Sequence, residues 1–239
     1  MSARRFWIAT VASGIGLAVT ASAAVWQFQR GQEKDRVVHE AEAGAKDPPI
    51  AVGPAAVPES AVRYRRVTVS GRFLPETRVL QDNQTRGTQH GYVVYEALDL
   101  GGGSHVVVKR GWVAGLPDRS TLPAVRTPEG TVTLEGMALP PTSRFLELAP
   151  TELEGPVWQN VTVERYTQRF RRSFQPLIVE QTNPLPDDLV RDWPKPASGS
   201  SKNYGYAFQW ASMAALIMVF YGYSLYRRAR PRPPAQGPA

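Results

Sequence analysis

Two uncharged stretches near the ends of the chain constrain its fold more than any other feature. Residues 6–28 read FWIATVASGIGLAVTASAAVWQF and residues 204–226 read YGYAFQWASMAALIMVFYGYSLY. An uncharged helix of about 20 residues spans the hydrocarbon core of a bilayer. Tryptophan or tyrosine lies near both ends of each stretch, as in the interfacial belts of membrane proteins. The sequence therefore predicts two transmembrane helices.

The first stretch also resembles a cleaved signal peptide. Ala21–Ala23 (ASA) fits a small-residue cleavage site. The apolar run continues past this site to Trp26 and Phe28, which favours an uncleaved span.

Small residues in the second stretch offer a surface for close packing of a partner helix, for which the first span is a candidate, although such residues are equally typical of membrane helices in general. They are Gly205, Ala211, Ser212, Ala214, Ala215 and Gly222. Four arginines lie in the tail, residues 227–239, and this basic tail predicts a cytoplasmic C-terminus. Two spans would place the N-terminus on the same side.

The segments that join the spans to the central region differ in composition. Residues 29–61 begin with a charged sequence, Arg30–Glu42, that predicts a helix continuing out of the first span. Asp47–Glu59 is rich in proline, glycine and alanine and predicts a linker or ordered loop. Residues 184–203 end in a proline-containing, semi-rigid approach to the second span.

Residues 62–183 carry the pattern of a mainly β domain. The predicted strands are 63–71, 77–81, 91–98, 104–113, 130–139, 157–163 and 176–181. Gly101–Gly103 fits a hairpin loop between two of them. Such a series predicts a closed or nearly closed, barrel-like antiparallel sheet. The predicted fold class is a membrane protein in which two transmembrane helices flank an extracytoplasmic mainly β domain with one or two short helices.

One helix is predicted inside this domain, over residues 163–174 (VERYTQRFRRSF). Tyr166, Phe170 and Phe174 recur every four residues, which would align them on one face. The arginines of this segment would form a basic face that meets lipid phosphates or an acidic partner, or is simply solvated.

Recognisable catalytic and nucleic-acid-binding patterns are missing from the sequence. The net charge of +7 is not accompanied by an RNA-binding signature, and the absence of cysteine excludes thiolate metal sites. Neither His90 nor His105 has a recognisable catalytic partner, and Asp187–Asp188 follows a proline and fits a turn. We therefore expect neither an enzyme nor a nucleic-acid-binding protein.

The order of several short motifs resembles the Surfeit-locus protein one (Shy-one) family. The motifs are GRFLPE, GYVVYEALDL, VVVKRGWV, VTLEGMALPP, VWQNVTVERY, LVRDWPKP and GYAFQW. No single motif is specific, but the ordered set covers nearly the whole chain. The resemblance implies motif or interaction roles for Arg110, Gly111, Trp112, Trp158, Gln159 and Gly205.

The resemblance implies an assembly factor for haem–copper oxidases, chiefly cytochrome c oxidase. Such a factor assists haem a insertion into subunit I, or the maturation of that subunit. The implied partners are subunit I, the haem a synthesis or assembly factors and the membrane. The implied location is the bacterial cytoplasmic (inner) membrane, with both termini cytoplasmic and the main domain on the periplasmic face.

Two departures from the family pattern concern individual residues. Members commonly carry a histidine shortly before GYA and QW, the proposed ligand of haem a, and Asn203 lies in its place. An amide is a poor ligand for haem iron, whereas the adjacent Tyr204 offers a phenolate. Tyr206 and Trp210 are candidate contacts for a porphyrin, and equally candidate contacts for the first span. The second departure is Lys109, where the family commonly has asparagine before RGW.

Two hypotheses about function follow from this resemblance. The first is an oxidase assembly factor that shields or orients haem a. The alternative is a membrane-anchored scaffold of the same pathway that binds no haem and uses KRGW and the basic helix as contact surfaces; Asn203 favours it. An unrelated anchored enzyme or sensor is disfavoured by the missing catalytic patterns.

Overall fold

The computed structural model describes residues 3–118, 121–141, 155–193 and 198–230. Its elements are α1 (Ala3–Lys46), β1 (Ile50–Val52), α2 (Glu59–Val62), β2 (Arg66–Gln81), β3 (Gly91–Gly101), β4 (Ser104–Ala114), β5 (Thr131–Leu139), β6 (Val157–Trp158), α3 (Val163–Phe170), β7 (Ser173–Gln181) and α4 (Ser200–Ala229). They form two compact units: the chain up to His39 together with α4, and a part that begins at Glu40 and contains the strands. Most of the predicted basic tail and part of the proline-containing approach lie outside the described residues.

Helices α1 and α4 contain the two uncharged stretches, and each is long and apolar enough to cross a membrane. Helix α1 continues without a break past Ala21–Ala23 into the charged segment, as the sequence predicts for its extension. The two helices touch through small and polar side chains: Ala207 and Ala214 are buried on α4, and the Tyr221 hydroxyl donates to Thr10 Oγ1 at 2.9 Å.

Two of the small residues proposed for close helix packing do not contribute to it. A Cβ added at Gly205 or Gly222 would meet no atom within 4 Å, so these glycines border open space. Close packing instead involves Gly16 of α1, where an added Cβ would lie 3.3 Å from Ile217 Cδ1. The exposed position of Gly205 leaves it available for contacts outside this chain.

The strands of the second unit pair in a closed ring, β2–β3–β4–β7–β5–β2. Four of these pairings are antiparallel, but β4 and β7 are parallel. The prediction of an antiparallel sheet therefore holds for four pairings of the ring and is wrong for β4 and β7. The chain passes through β5, β6 and α3 between β4 and β7, which provides the long connection that parallel neighbours require. Strands β1 and β6 add short parallel pairings to β2.

Strand β2 joins two predicted strands into one. The sequence predicts an end at Gly71, but β2 runs through this residue to Gln81. A Cβ at Gly71 would lie 2.2 Å from the carbonyl oxygen of Asp99 on β3, so glycine is needed for close approach rather than for a turn. The strand is irregular between Leu74 and Val79, where the Thr77 hydroxyl accepts from the backbone N–H of Ala97 at 2.9 Å.

Three other predictions about elements need correction. The predicted linker Asp47–Glu59 contains β1, which pairs with β2. The predicted strand 157–163 holds only the short β6, because the Thr162 side chain accepts from the backbone N–H of Arg165 and caps α3. Helix α3 ends at Phe170, since Arg171 adopts a left-handed conformation (φ 53°).

The aromatic residues of the predicted helix still pack together although they lie on two elements. Phe174 belongs to β7, and its ring centroid lies 5.6 Å from that of Tyr166 on α3. The predicted hairpin at Gly101–Gly103 is confirmed: Gly101 pairs with Ser104, and Gly102 and Gly103 have positive φ.

Apolar residues of the β domain form three clusters, and the two larger ones lie on opposite sides of β4. One cluster draws residues from all five strands of the ring and includes Val106 and Val108 of β4. The alternate residue Val107 belongs to a second cluster, which α3 covers with Tyr166. The period-two alternation of β4 thus buries both of its faces.

Candidate functional site

Strand β4 carries a β-bulge at Arg110. Tyr95 of β3 lies opposite Lys109, and Val94 lies opposite Gly111, so Arg110 has no partner in the ladder. An extra residue in one strand changes which side chains face each side of the sheet. The bulge therefore gives Arg110 and Trp112 their separate orientations within the RGW motif.

The Arg110 side chain is completely buried among charged and polar groups. Its Nη1 donates to Glu96 Oε2 at 2.6 Å, and its Nη2 donates to Asp187 Oδ2 at 2.7 Å; both carboxylate side chains are also fully buried. Nη1 further reaches Thr127 Oγ1 at 3.1 Å. We call Glu96, Arg110, Thr127 and Asp187 the arginine hub. Because a buried charge needs compensating partners, the hub holds these chain segments together.

The segment that follows β7 is fixed to β4 at this hub. Asp187 also accepts a hydrogen bond from Arg191 Nη2, and Asp188 has a left-handed φ of 59°, so the predicted turn is present and one of its carboxylates is buried. Trp112 and Val190 exchange two backbone hydrogen bonds, of 2.8 and 2.9 Å. Residues of the RGW motif thus bind the segment after β7, which leads towards α4.

Gly111 is required by this close approach. An added Cβ would lie 2.6 Å from Leu189 Cβ, closer than side chains pack. Trp112 beside it is 6% exposed, and its indole N–H donates to the carbonyl oxygen of Gln84 at 2.8 Å. Arginine, glycine and tryptophan of this motif each have a distinct structural task.

Trp158 and Gln159, from the VWQN motif, lie at the end of β2. Trp158 is buried against Tyr166 of α3, with ring centroids 5.4 Å apart, whereas Gln159 is exposed and its carbonyl oxygen accepts from Gln81 Nε2 at 3.2 Å. Of the two, only the Gln159 side chain is free to form a surface contact.

In the other unit, Asn203 and Tyr204 join α4 to α1. Asn203 Oδ1 accepts from Lys34 Nζ at 2.8 Å, and Asn203 Nδ2 donates to Gln27 Oε1 at 2.8 Å. The Tyr204 hydroxyl donates to Asp35 Oδ2, also at 2.8 Å. We call these five residues the helix clamp.

The helix clamp also stabilises the start of α4. The N-cap residue, Gly199, has no side chain to accept from the free backbone N–H groups. Hydrogen bonds from the side chains of Ser200 and Tyr204 lower the pKa of Asp35. A carboxylate near the N-terminus of a helix is also favoured by the helix dipole. Asp35 thus supplies from α1 the negative charge that α4 lacks in its own first turn.

The geometry of the helix clamp does not fit a haem ligand set. Both ends of the Asn203 amide form hydrogen bonds with α1, and the Tyr204 oxygen retains a proton that it donates to Asp35. Tyr206 is 52% exposed and Trp210 is partly exposed, so their proposed contact with a porphyrin stays a prediction. Among the described residues, no group of three or more histidine, aspartate or glutamate side chains is placed to hold a metal ion.

The histidines that the sequence raised as candidates have structural partners. His105 is buried, with Nδ1 3.0 Å from the carbonyl oxygen of Ser173 and its ring against Phe174. His90 Nε2 lies 3.5 Å from Asp82 Oδ1 at the mouth of the loop between β2 and β3.

Sequence reasoning missed the α1 half of the helix clamp. Gln27, Gly31 and Lys34 are spaced four and three residues apart, which is the spacing of one helix face. An added Cβ at Gly31 would lie 2.8 Å from the Tyr204 ring, so this glycine allows the ring to reach α1. The spacing was visible in the sequence, but only the position of α4 shows what it contacts.

Together these features define a class of protein: a mainly β domain braced by a buried arginine hub, attached to two candidate membrane helices that a polar clamp joins. Comparison with models of protein families identifies the family to which the chain belongs. The description of the matching model is the SURF1 family, it matches residues 15–215, and the chain belongs to this family. This match confirms the resemblance seen in the ordered motifs, and the family is associated with cytochrome oxidase assembly. The curated proteins contain no match to this chain.

Proposed function

We propose that this protein is a membrane-anchored scaffold that assists the maturation of subunit I of a haem–copper cytochrome c oxidase without itself ligating haem a. The two candidate membrane helices hold it in the cytoplasmic membrane, with both termini in the cytoplasm and the β domain on the outer face. It catalyses no reaction, and its partners are subunit I and the factors that make or deliver haem a.

The observation that carries this proposal is that both polar side-chain atoms of Asn203 already form hydrogen bonds. At the position where the resemblance places a haem-ligating histidine, both polar atoms of the amide bind α1. The neighbouring Tyr204 is likewise engaged by Asp35. These contacts support a role in joining two helices, and they favour the scaffold over direct haem delivery.

The test is an absorption spectrum of the detergent-purified full-length protein, co-expressed with haem a synthesis enzymes and the oxidase. We expect oxidase subunits to co-purify and the protein separated from them to lack haem a. Asn203→His is measured in parallel, with Asn203→Gln as the amide-retaining control. Haem a in the histidine variant alone would show that a pocket persists without its ligand.

Stoichiometric haem a in the unmodified protein would contradict the scaffold proposal and make Tyr204→Phe the next variant. A second measurement tests the pathway itself: oxidase activity and haem a content of membranes from cells in which the gene is deleted. Normal oxidase in those membranes would overturn the assembly role.

A further inference from the structure

A pocket of about 410 Å³ lies beside the RGW motif on the β domain. This volume is within the range of about 300–1,000 Å³ found for ligand sites. Its walls come from the loop between β2 and β3, from strands β3 and β4, and from the segment after β7. The lining residues include Gln84, Arg86, Lys109, Trp112, Asp192 and Trp193.

The position of this pocket in the strand ring matches a known ligand-binding position. Numbered along the chain, the five ring strands pair in the cyclic order first, second, third, fifth, fourth. This is the order of the OB-fold, which binds ligands on the face of its second and third strands beside the loop that joins the first two. Here those parts are β3, β4 and the loop that contains Gln84–Gly87. Fold analogy gives only the place, so the ligand must be argued from side chains.

Two indole rings line the pocket, and both have their N–H groups directed into the protein. Trp112 donates to the carbonyl oxygen of Gln84, and Trp193 donates to the carbonyl oxygen of Gln181 at 2.7 Å. Because these polar groups are satisfied, the half-buried Trp193 ring and the small exposed part of Trp112 are suited to apolar and aromatic contacts.

A cation accompanies each indole. The Arg86 guanidinium lies 5.5 Å from the Trp112 ring centroid, and Lys109 Nζ lies 4.0 Å from that of Trp193. Lys109 also forms an ion pair of 2.5 Å with Glu180, and both side chains are less than 20% exposed, so its charge is compensated inside the protein.

The charge of Arg86 is compensated more weakly. Its ion-pair partner is Asp192, whose side chain is 76% exposed against 26% for Arg86, and Arg86 Nη2 also donates to the backbone carbonyl oxygen of Asp192 at 2.6 Å. Exposed ion pairs contribute only about 0–1 kcal/mol, so a carboxylate from a ligand can replace Asp192 at little cost. The pocket therefore fits a group that combines an aromatic side chain with a neighbouring carboxylate.

We propose that this pocket binds an extended peptide segment of a partner protein in which an aromatic residue adjoins an acidic one. The aromatic side chain packs between Trp112 and Trp193, and the carboxylate pairs with Arg86. The proposal rests on the proposed function for the source of the peptide, since an assembly factor acts on other polypeptides.

The test uses the full-length protein in detergent micelles, labelled with 5-fluorotryptophan, and the peptide Ac-Gly-Phe-Asp-Gly-NH₂ as the probe. The chain has six tryptophans, whose fluorine resonances are assigned from single Trp→Phe variants. We expect saturable shifts of the Trp112 and Trp193 resonances. The shifts of the buried Trp158 and of the tryptophans in the two candidate spans should stay small.

Two comparisons test the carboxylate contact. Arg86→Gln, and separately the peptide Ac-Gly-Phe-Asn-Gly-NH₂, should each weaken binding about tenfold, as expected for loss of one charge-assisted contact. The control variant Arg72→Gln removes an exposed arginine of β2 outside the pocket and should leave binding unchanged.

The proposal is overturned if no resonance shifts at millimolar peptide, if the asparagine peptide binds equally well, or if phenylacetate binds as tightly as the peptide. These results are separate from those of the oxidase experiment. Peptide binding together with normal oxidase in the deletion cells would contradict the assembly role and still support the peptide site. Loss of oxidase without peptide binding would support the assembly role and overturn the proposed peptide site.

Discussion

The arginine hub and the helix clamp use the same kinds of groups in very different surroundings. In the hub, the side chains of Arg110, Glu96 and Asp187 have no exposure to solvent. In the clamp, Lys34 and Asn203 remain partly exposed. Water compensates the clamp residues when a partner is lost, whereas in the hub only the remaining protein contacts can do so, from Arg191 to Asp187 and from Arg78 to Glu96.

This difference in burial leads to different expected roles. The hub joins the loop between β4 and β5 and the segment after β7 to strand β4. The clamp sets how two long helices meet while contributing modestly to stability. Conditions that change protonation or hydration should therefore alter the clamp well before they unfold the β domain.

The largest expected effect is that of Arg110→Met. Removing the guanidinium leaves Glu96 and Asp187 buried without their shared partner, which should destabilise the β domain by about 3–5 kcal/mol. At about 2–4 °C per kcal/mol, the Tm should fall by about 6–20 °C. Thermal unfolding of the detergent-solubilised protein, followed by near-UV circular dichroism, measures this change.

Arg78→Met is the matched control for Arg110. Arg78 also reaches Glu96, at 3.5 Å, and donates to Thr127, but its side chain is 27% exposed, so water can replace part of these contacts and the loss should be smaller than that of Arg110→Met. Equal effects of the two substitutions would remove the distinction between buried and exposed contacts on which the comparison depends.

Gly111→Ala should have the next largest effect, through shape rather than charge. The added methyl group would meet Leu189 and force the segment after β7 away from β4, at a cost of about 1–3 kcal/mol. The same unfolding experiment measures it. Gly53→Ala, where an added Cβ meets no atom within 4 Å, is the control and should be nearly neutral. Similar losses in both variants would point to backbone flexibility instead of packing.

Tyr166→Phe should have a smaller effect, of opposite sign. The Tyr166 hydroxyl is buried with no hydrogen-bond partner among the described residues, so its removal should stabilise the fold by about 1 kcal/mol at neutral pH. Tyr95→Phe is the contrast, because the Tyr95 hydroxyl donates to Gln81 Oε1 at 3.2 Å and its loss should destabilise. Denaturant unfolding of the two variants gives the sign of each change.

The pH dependence of Tyr166 can be derived from its burial, which raises the pKa of this residue well above its ordinary value. In the unfolded chain the phenol loses its proton near pH 10, while the folded state keeps it. Stability is therefore complete below about pH 10 and falls as the pH rises further. In Tyr166→Phe this alkaline loss should be smaller, and an unchanged loss would contradict the assignment.

The strands and helices were largely predictable from local pattern, whereas their connections were not. The alternating stretches around Val106 and the apolar run of α4 indicate their own secondary structure. The parallel pairing of β4 with β7, and the passage of β2 through Gly71, depend on contacts between residues distant in sequence. The local periodicity of apolar residues does not indicate which distant strands will pair.

The candidate site divides in the same way. The sequence singled out Arg110, Gly111 and Trp112 through their resemblance to a family motif, but it gave no sign that Glu96 and Asp187 meet Arg110. Asp187 was predicted as a turn residue, and the turn is present, yet burial of its carboxylate beside an arginine follows only from the fold. Likewise, Asn203 stood out as a missing histidine, while its partners Gln27 and Lys34 lie far away in the sequence.

The smallest expected effect is that of Asp35→Asn, which tests whether the helix clamp responds to pH. The folded pKa of Asp35 is lowered, so its contribution is present above the unfolded value of about 3.9 and is lost as the pH falls through the folded value. The chain has no cysteine, so spin labels on Gln32→Cys and Ser201→Cys report the distance between α1 and α4 without background. We expect a narrow distance distribution at pH 7 that broadens below about pH 4. In Asp35→Asn the distribution should be broader already at pH 7 and nearly independent of pH.

Glu33→Gln removes a carboxylate that pairs within α1 with Arg30, and it should leave the distribution unchanged. If Asp35→Asn instead matches the unmodified protein at both pH values, the clamp is held by Asn203 and its partners, and the junction of the two helices does not depend on a charge.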